Sequence, residues 1–339
     1  MATGDILEPL LQVKNLYTQF DTPRGLARAV DGVSFALERG KTLGIVGESG
    51  SGKSVLSRTI IDILAKDGSV LYDGEIIFEG RNLRNLNEKE MREVRGREIA
   101  MVFQDPMSSL NPVKKIGKQI TEVLTKRMGM SSRPARVRAA ELITSVGIPD
   151  AEQQLDRYPM HLSGGMRQRV AIAIAIACEP KLLIADEPTT ALDVTIQAQI
   201  LDLLKEQQTK QNMSVMLITH NLGIVSGYTD DVAVMYAGKI VEKCSTEELI
   251  SRPLMPYTEA LMGSAPLLSD PPHTRLKAIA GLPPNLLNLP GGCNFHSRCS
   301  YGDEKCNSQA PDLVTFENSM HMFACWHPLN RSKPREAMK

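Results

Sequence analysis

The sequence predicts an α/β fold with a mostly parallel sheet, and three observations carry that expectation. Short apolar runs at Thr42–Val46, Ile99–Phe103, Leu182–Ala185 and Val215–Ile218 read as buried strands. Helical periodicity separates them, from Lys53 to about Leu64, through most of residues 105–162, and at Thr195–Gln208. Strands that alternate with helices pack as parallel neighbours joined by crossover connections.

The two ends of the chain differ from this core. Leu10 to Leu37 alternates apolar and polar residues, broken at Asp21-Thr22-Pro23 and Asp31-Gly32, which reads as short antiparallel strands. A further strand at Glu75–Phe78 follows within the turn-rich stretch 68–80. From Pro253 onward prolines accumulate (Pro266, Pro271, Pro272, Pro283, Pro284, Pro290), so a loop-rich segment with little regular structure is expected, beyond a boundary near Ser264. The stretch Lys126 to Arg138 is basic and free of acids. It reads as a solvated helix face, with a docking face for a partner as the sharper alternative.

Composition narrows the function. Across 339 residues, Lys plus Arg equals Asp plus Glu at 39 each, which speaks against a nucleic-acid binder. No apolar stretch approaches the roughly 18 to 20 residues that span a bilayer. The first ten residues, MATGDILEPL, lack the features of a secretory leader. Any membrane role is therefore expected to be peripheral. Cys178 and Cys244 stand apart, while Cys293, Cys299, Cys306 and Cys325 crowd into the tail. Without a secretory signal, a metal or cluster is a better reading of those four than disulfides.

Two segments carry phosphate chemistry. Gly47-Glu48-Ser49-Gly50-Ser51-Gly52-Lys53-Ser54 fits G-x-x-x-x-G-K-S between a strand and a helix. Its glycines let backbone N–H groups turn inward, and the following helix adds its positive end. Lys53 then faces the β- and γ-phosphates and Ser54 offers an oxygen to Mg²⁺. Lys181 to Glu187 is an apolar strand ending in two carboxylates. Asp186 suits Mg²⁺, and Glu187 suits the role of general base toward water. Leu162-Ser163-Gly164-Gly165-Met166 opens a helix and makes a second anion site. His220, after Thr219, ends a strand beside those leading to Gly47 and Glu187 and is expected to face the γ-phosphate.

With these motifs in place, residues 7–265 resemble the ATP-binding subunits of ABC transporters. The resemblance implies a P-loop NTPase (RecA-like) core, an N-terminal antiparallel β subdomain and a helical signature subdomain over about 105–165. It assigns the phosphate loop to Gly47–Ser54 with Val55 after it, and the Q-loop glutamine to Gln104, which also approaches Mg²⁺. The signature falls at Ser163, Gly164, Gly165 and Met166, the Walker B pair at Asp186 and Glu187, and the D-loop at Ala191-Leu192-Asp193. His220 is the switch histidine. Phe20 matches the aromatic that stacks on adenine, with Tyr17 second. Met166 departs from the usual glutamine, but Ser163 and Gly164 carry the phosphate contact. In such proteins two domains pair head to tail, and each signature completes the ATP site of the other. The implied partners are a second ATPase subunit, commonly a sibling with an identical chain as the alternative, two membrane permeases and an extracytoplasmic solute-binding protein, at the cytoplasmic face of the membrane.

The tail narrows the resemblance. Tyr257–Leu261, Pro266 and Gly292–Cys299 look like the tail of oligopeptide and dipeptide importer ATPases, over roughly 255–329, with a small C-terminal domain at 266–329. The spacing C-x5-C-x6-C-x18-C lacks C-x₂-C knuckles. Four thiolates can hold a [4Fe–4S] cluster, as the resemblance implies, with zinc or unligated thiols as the alternatives. Phe295, Phe316, Phe323 and Trp326 are candidate walls for it. The cluster reads as a staple for the tail, separate enough that a lost cysteine leaves the phosphate loop able to bind nucleotide. The function implied is ATP hydrolysis powering import of dipeptides or oligopeptides. Nickel, glutathione or another small solute is the near alternative, and a soluble ABC ATPase the remote one.

Overall fold

A computed structural model describes residues 8–105, 109–190, 192–264, 279–317 and 319–330. The leader reading of the first residues, Ala191 of the D-loop, and Pro266, Pro271 and Pro272 fall wholly or partly outside them. The chain divides into two compact units, Met1–Glu38 with Thr42–Arg84 and Ile218–Lys339, and Arg39–Lys41 with Asn85–Leu217.

In the first unit, β1 (Leu11–Thr22) and β2 (Gly25–Leu37) form an antiparallel hairpin closed at Thr22 and Gly25. β4 (Val70–Phe78) lies on the other side of β1 and carries β5 (Arg81–Asn82), so the order is β2-β1-β4-β5. β4 begins earlier than the turn-rich sequence suggested, because its pairing with β1 extends from Phe78 back to Val70. A second row of strands starts at β3 (Thr42–Val46), whose five residues are all buried. β3 pairs in parallel with β9 (Asp231–Tyr236). β9 pairs antiparallel with β10 (Lys239–Ser245) across the two-residue turn Ala237-Gly238. Both turn residues have positive φ, 47° and 83°, as a type I′ hairpin requires.

The tail joins this row instead of standing apart. β12 (Met322–Phe323) pairs with β10, and β11 (Val314–Thr315) with β12. Tyr236, Leu254, Tyr257, Phe295, Phe316 and Phe323 share one buried core. At its edge the fully buried Glu242 accepts hydrogen bonds from Leu254 N (2.6 Å) and Met255 N (3.2 Å) and pairs with His321 Nε2 at 2.8 Å. Residues on both sides of the boundary read near Ser264 share this core. The expected lack of structure after Pro253 also gives way to a helix at Pro256–Gly263, started by a proline at its first position.

The second unit is largely helical. β6 (Ile99–Val102) and β7 (Leu182–Asp186) run parallel, with β8 (Ser214–Thr219) on the far side of β7, and the unit boundary falls inside β8. Helices span Glu88–Val94, Ile116–Met128, Ser132–Ser145, Ala151–Leu155, Gly164–Ile176 and Val194–Gln211. The basic stretch is partly neutralised at home. Arg136 pairs with Glu152 and Asp156, and Arg138 with Glu141 and Glu179. That favours the solvated-face reading. Among the described residues no helix is long and apolar enough to cross a membrane.

Candidate nucleotide-binding site

The phosphate loop lies in the first unit, between β3 and the helix Lys53–Ile60, which is shorter than the Lys53–Leu64 expected. Two glycines are required by space. A Cβ at Gly47 would strike the Met235 carbonyl oxygen, and one at Gly52 the Ala29 carbonyl oxygen. Gly52 also has φ 103°, which only glycine adopts readily. Lys53 is 4% exposed, and its ammonium donates to Gly47 O at 2.7 Å and Glu48 O at 2.9 Å. Ser49 and Gly50 form the exposed rim of the loop. The arrangement places a cation and the positive end of a helix at one turn, which suits an anion with several phosphates.

Glu48 is held from two sides. Its carboxylate accepts both arms of Arg298, Nη1 to Oε2 at 2.6 Å and Nη2 to Oε1 at 2.9 Å. Its N–H donates to the Tyr257 hydroxyl at 2.9 Å. Burial pushes the Tyr257 hydroxyl well above the usual phenol range, so it stays neutral. Tyr257, Tyr236 and Phe295 pack as an aromatic trio with ring centroids 4.5 to 5.3 Å apart. Phe20 and Tyr17 are half-buried on β1, and His220 follows β8 with an exposed side chain. A Cβ at Gly32 would lie 3.1 Å from the Tyr17 hydroxyl oxygen, so this glycine gives the Tyr17 ring its room.

In the second unit Asp186 ends β7, buried at 1% exposure, and Glu187 follows with φ 46°. Gln104 Nε2 donates to Glu187 Oε2 at 3.0 Å, and Thr190 Oγ1 donates to the same oxygen at 2.8 Å. Gln104 and the general-base candidate thus meet side chain to side chain, a contact that the sequence reading did not include. Ser163 caps the helix Gly164–Ile176 by accepting from Met166 N. A Cβ at Gly165 would lie 2.8 Å from Ile196 Cγ2, so a small residue is needed there. Asp193 caps the helix Val194–Gln211 by accepting from Ile196 N at 2.9 Å.

Cys293, Cys299, Cys306 and Cys325 line one small cavity with Phe295, Trp326 and His327, and all four are free thiols. Phe316 and Phe323 pack against each other in the core and do not line the cavity, so only two of the four expected aromatic walls serve. Tyr301 N donates to Cys299 Sγ and His327 N to Cys325 Sγ, at 3.4 and 3.3 Å. Such bonds stabilise sulfur that carries negative charge. The convergence and the N–H···S contacts fit a thiolate-bound metal group.

Three functional candidates were missed in the sequence: Arg298, Tyr257 as a loop partner, and Thr190. Arg298 and Glu48 are 250 positions apart, and no local pattern links them. Thr190 was within reach, since a hydroxyl three residues beyond a general base can return to it.

Comparison with known proteins agrees with this geometry. Residues 30–190 match the ABC transporter family model, and residues 241–306 match the C-terminal region model of oligopeptide/dipeptide transporters. The oligopeptide transport ATP-binding protein OppD of Bacillus subtilis is 50% identical over 97% of this chain and 93% of its own length. The dipeptide transport ATP-binding protein DppD of the same organism is 48% identical over 94% and 95%. Among solved structures, the dimeric bacterial ABC transporter cassette MJ0796 aligns with a TM-score of 0.62 at 26% identity, over 70% of this chain and 98% of that one. With a glycine-rich phosphate loop, a Gln104–Glu187 contact and relatives this close along nearly its whole length, the chain belongs to the ATP-binding subunits of oligopeptide and dipeptide ABC transporters.

Proposed function

We propose that this chain drives import of dipeptides or oligopeptides by binding and hydrolysing MgATP between two paired ATP-binding domains. The observation that carries the reading is Glu187, set at the end of a buried strand with one carboxylate oxygen fixed by Gln104 and Thr190. Fixed this way, it accepts a proton from water as the water attacks the γ-phosphorus, yielding ADP and phosphate.

The other residues divide the remaining work. Gly47, Glu48, Ser49, Gly50, Ser51, Gly52 and Val55 present loop and helix backbone to the phosphates, and Lys53 adds its charge. Ser54, Gln104 and Asp186 serve Mg²⁺, Phe20 the adenine, and His220 the γ-phosphate. Ser163, Gly164, Gly165 and Met166 act on the nucleotide of the partner domain, beside Asp193. The dimeric MJ0796 cassette supports such pairing by analogy. Exposed Val113, Tyr158 and Met160 on the helical unit offer apolar contacts to a membrane permease. The chain then works at the cytoplasmic face with two permeases, a sibling ATPase and a solute-binding protein. Cys293, Cys299, Cys306 and Cys325 would hold a [4Fe–4S] cluster, or zinc in its place, which would cross-link the tail.

The test is Glu187→Gln in the assembled transporter. ATP binding should persist, hydrolysis should nearly vanish, and peptide uptake should stop in an ATP-trapped closed complex. Normal turnover by the variant would sink the reading.

A further inference from the structure

Nothing in the chemistry of a phosphate loop requires a cysteine-rich tail, yet the tail reaches the loop directly. Arg298 sits in the turn between Cys293 and Cys299, tied by Arg298 N to Phe295 O (3.0 Å) and Cys293 N to Cys306 O (2.7 Å). Its side chain is 3% exposed. Besides the two arms on Glu48, its Nε donates to Ala280 O at 2.9 Å and its Nη1 to Tyr236 Oη at 3.3 Å. The guanidinium lies 5.9 Å from the ring centroids of both Tyr236 and Phe295. A planar fork locked at this many points has little freedom to follow Glu48 if the loop moves.

The same turn holds the loop a second way. Phe295 packs on Tyr257, and the Tyr257 hydroxyl accepts the Glu48 N–H. The Glu48 carbonyl in turn accepts from Lys53. One short path therefore runs from the cysteine turn through Arg298 and Phe295 to Glu48, and from Glu48 to the cation of the loop. Every residue on it lies in the first unit.

We infer that Arg298 is a positioning residue, through which the cysteine turn holds the phosphate loop in its nucleotide-binding conformation by way of Glu48. The inference rests on reading residues 47–54 as the ATP site. Its physical content is preorganisation: a loop that spends less time in the competent shape binds nucleotide more weakly by that fraction. It replaces the expectation that the tail and the ATP site are independent. Damage to the cysteine lobe should reach nucleotide affinity through the Arg298–Glu48 contact.

The experiment is titration of the full chain with MgADP, which avoids hydrolysis. Glu48→Gln and Arg298→Met should each weaken binding about tenfold, and the double variant should be no weaker than the worse single. Arg298→Lys should recover only part of the loss, because an ammonium lacks the fork. Backbone amides of residues 47–54 should exchange hydrogen faster in Arg298→Met than in the parent. Should Arg298→Met fail to fold, Glu48→Gln still decides the matter, since it leaves every tail residue unchanged. Affinities within twofold of the parent for Glu48→Gln, or losses that multiply in the double variant, would overturn the link. Lys53→Ala separates the two readings. If the parent binds MgADP and Lys53→Ala does not, an unaffected Glu48→Gln removes only the Arg298 inference. If the parent itself does not bind, the ATP-site reading falls.

Discussion

Gln104 and Glu187 meet side chain to side chain at 3.0 Å, although 83 positions separate them in sequence. The bond joins the loop after β6 to the end of β7, and those strands are parallel neighbours. Thr190 adds a second hydrogen bond to the same carboxylate oxygen. Glu187 is therefore aimed before any nucleotide is considered.

That aim predicts the behaviour of its two holders. Thr190→Val and Gln104→Ala should each lower the kcat of ATP hydrolysis by the assembled transporter, with Gln104→Ala the larger effect on the proposal that this residue also serves Mg²⁺. For Thr190→Val, loss of one hydrogen bond to a charged group, about 1.5–3 kcal/mol, corresponds to roughly ten- to hundredfold in rate if felt fully in the transition state. KM for ATP should change little in Thr190→Val. A variant with unchanged kcat and raised KM would place Thr190 in binding instead.

Lys53→Ala acts on the other half of the site. It removes a buried cation that the loop already holds through Gly47 O and Glu48 O. A charge-assisted contact of this type is worth about 1.5–3 kcal/mol, so nucleotide affinity should fall roughly ten- to hundredfold by calorimetry. Unchanged affinity would mean that the loop does not hold phosphate.

Much of this was legible in the sequence, for a physical reason. The strand–loop–helix at residues 42–60 is written in consecutive residues, as are the carboxylates at the end of β7 and the cap Ser163. Chemistry that depends on local backbone leaves local signatures. Long-range side-chain pairing leaves none, so Arg298–Glu48 and His321–Glu242 emerged only from the fold. The tail was misjudged for a related reason. Its prolines and sparse apolar residues looked insufficient for a core, but Phe295, Phe316 and Phe323 borrow one from Tyr236, Leu254 and Tyr257.

Ser163→Ala should separate assembly from binding. The cap on Met166 N is lost, at a cost of about 1 kcal/mol to the helix. MgADP affinity of the isolated chain should stay within twofold, on the proposal that Ser163 serves the nucleotide of the partner domain. ATP hydrolysis by the assembled transporter should drop severalfold or more. Equal loss in both measurements would place Ser163 at the nucleotide of its own chain.

The last prediction concerns the four tail cysteines. Burial pushes the pKa of all four thiols up, that of Cys325 to about 12. Alone, then, they would stay protonated at neutral pH, and thiolates would form only as a metal displaces the protons. The cavity they line is walled by Phe295 and Trp326, and N–H groups already point at Cys299 and Cys325. Protein purified without oxygen should be brown and carry about four irons per chain. Colourless protein with one zinc per chain would replace the cluster and keep the cross-link. Cys325→Ser should lose the metal and make the tail more sensitive to limited proteolysis. Because Arg298 sits next to Cys299 and grips Glu48, the same variant should also bind MgADP severalfold more weakly. Protein without metal, with a tail equally protease-resistant after the substitution, would defeat both the cluster and the cross-link, while leaving the Arg298–Glu48 contact to be judged by its own variants.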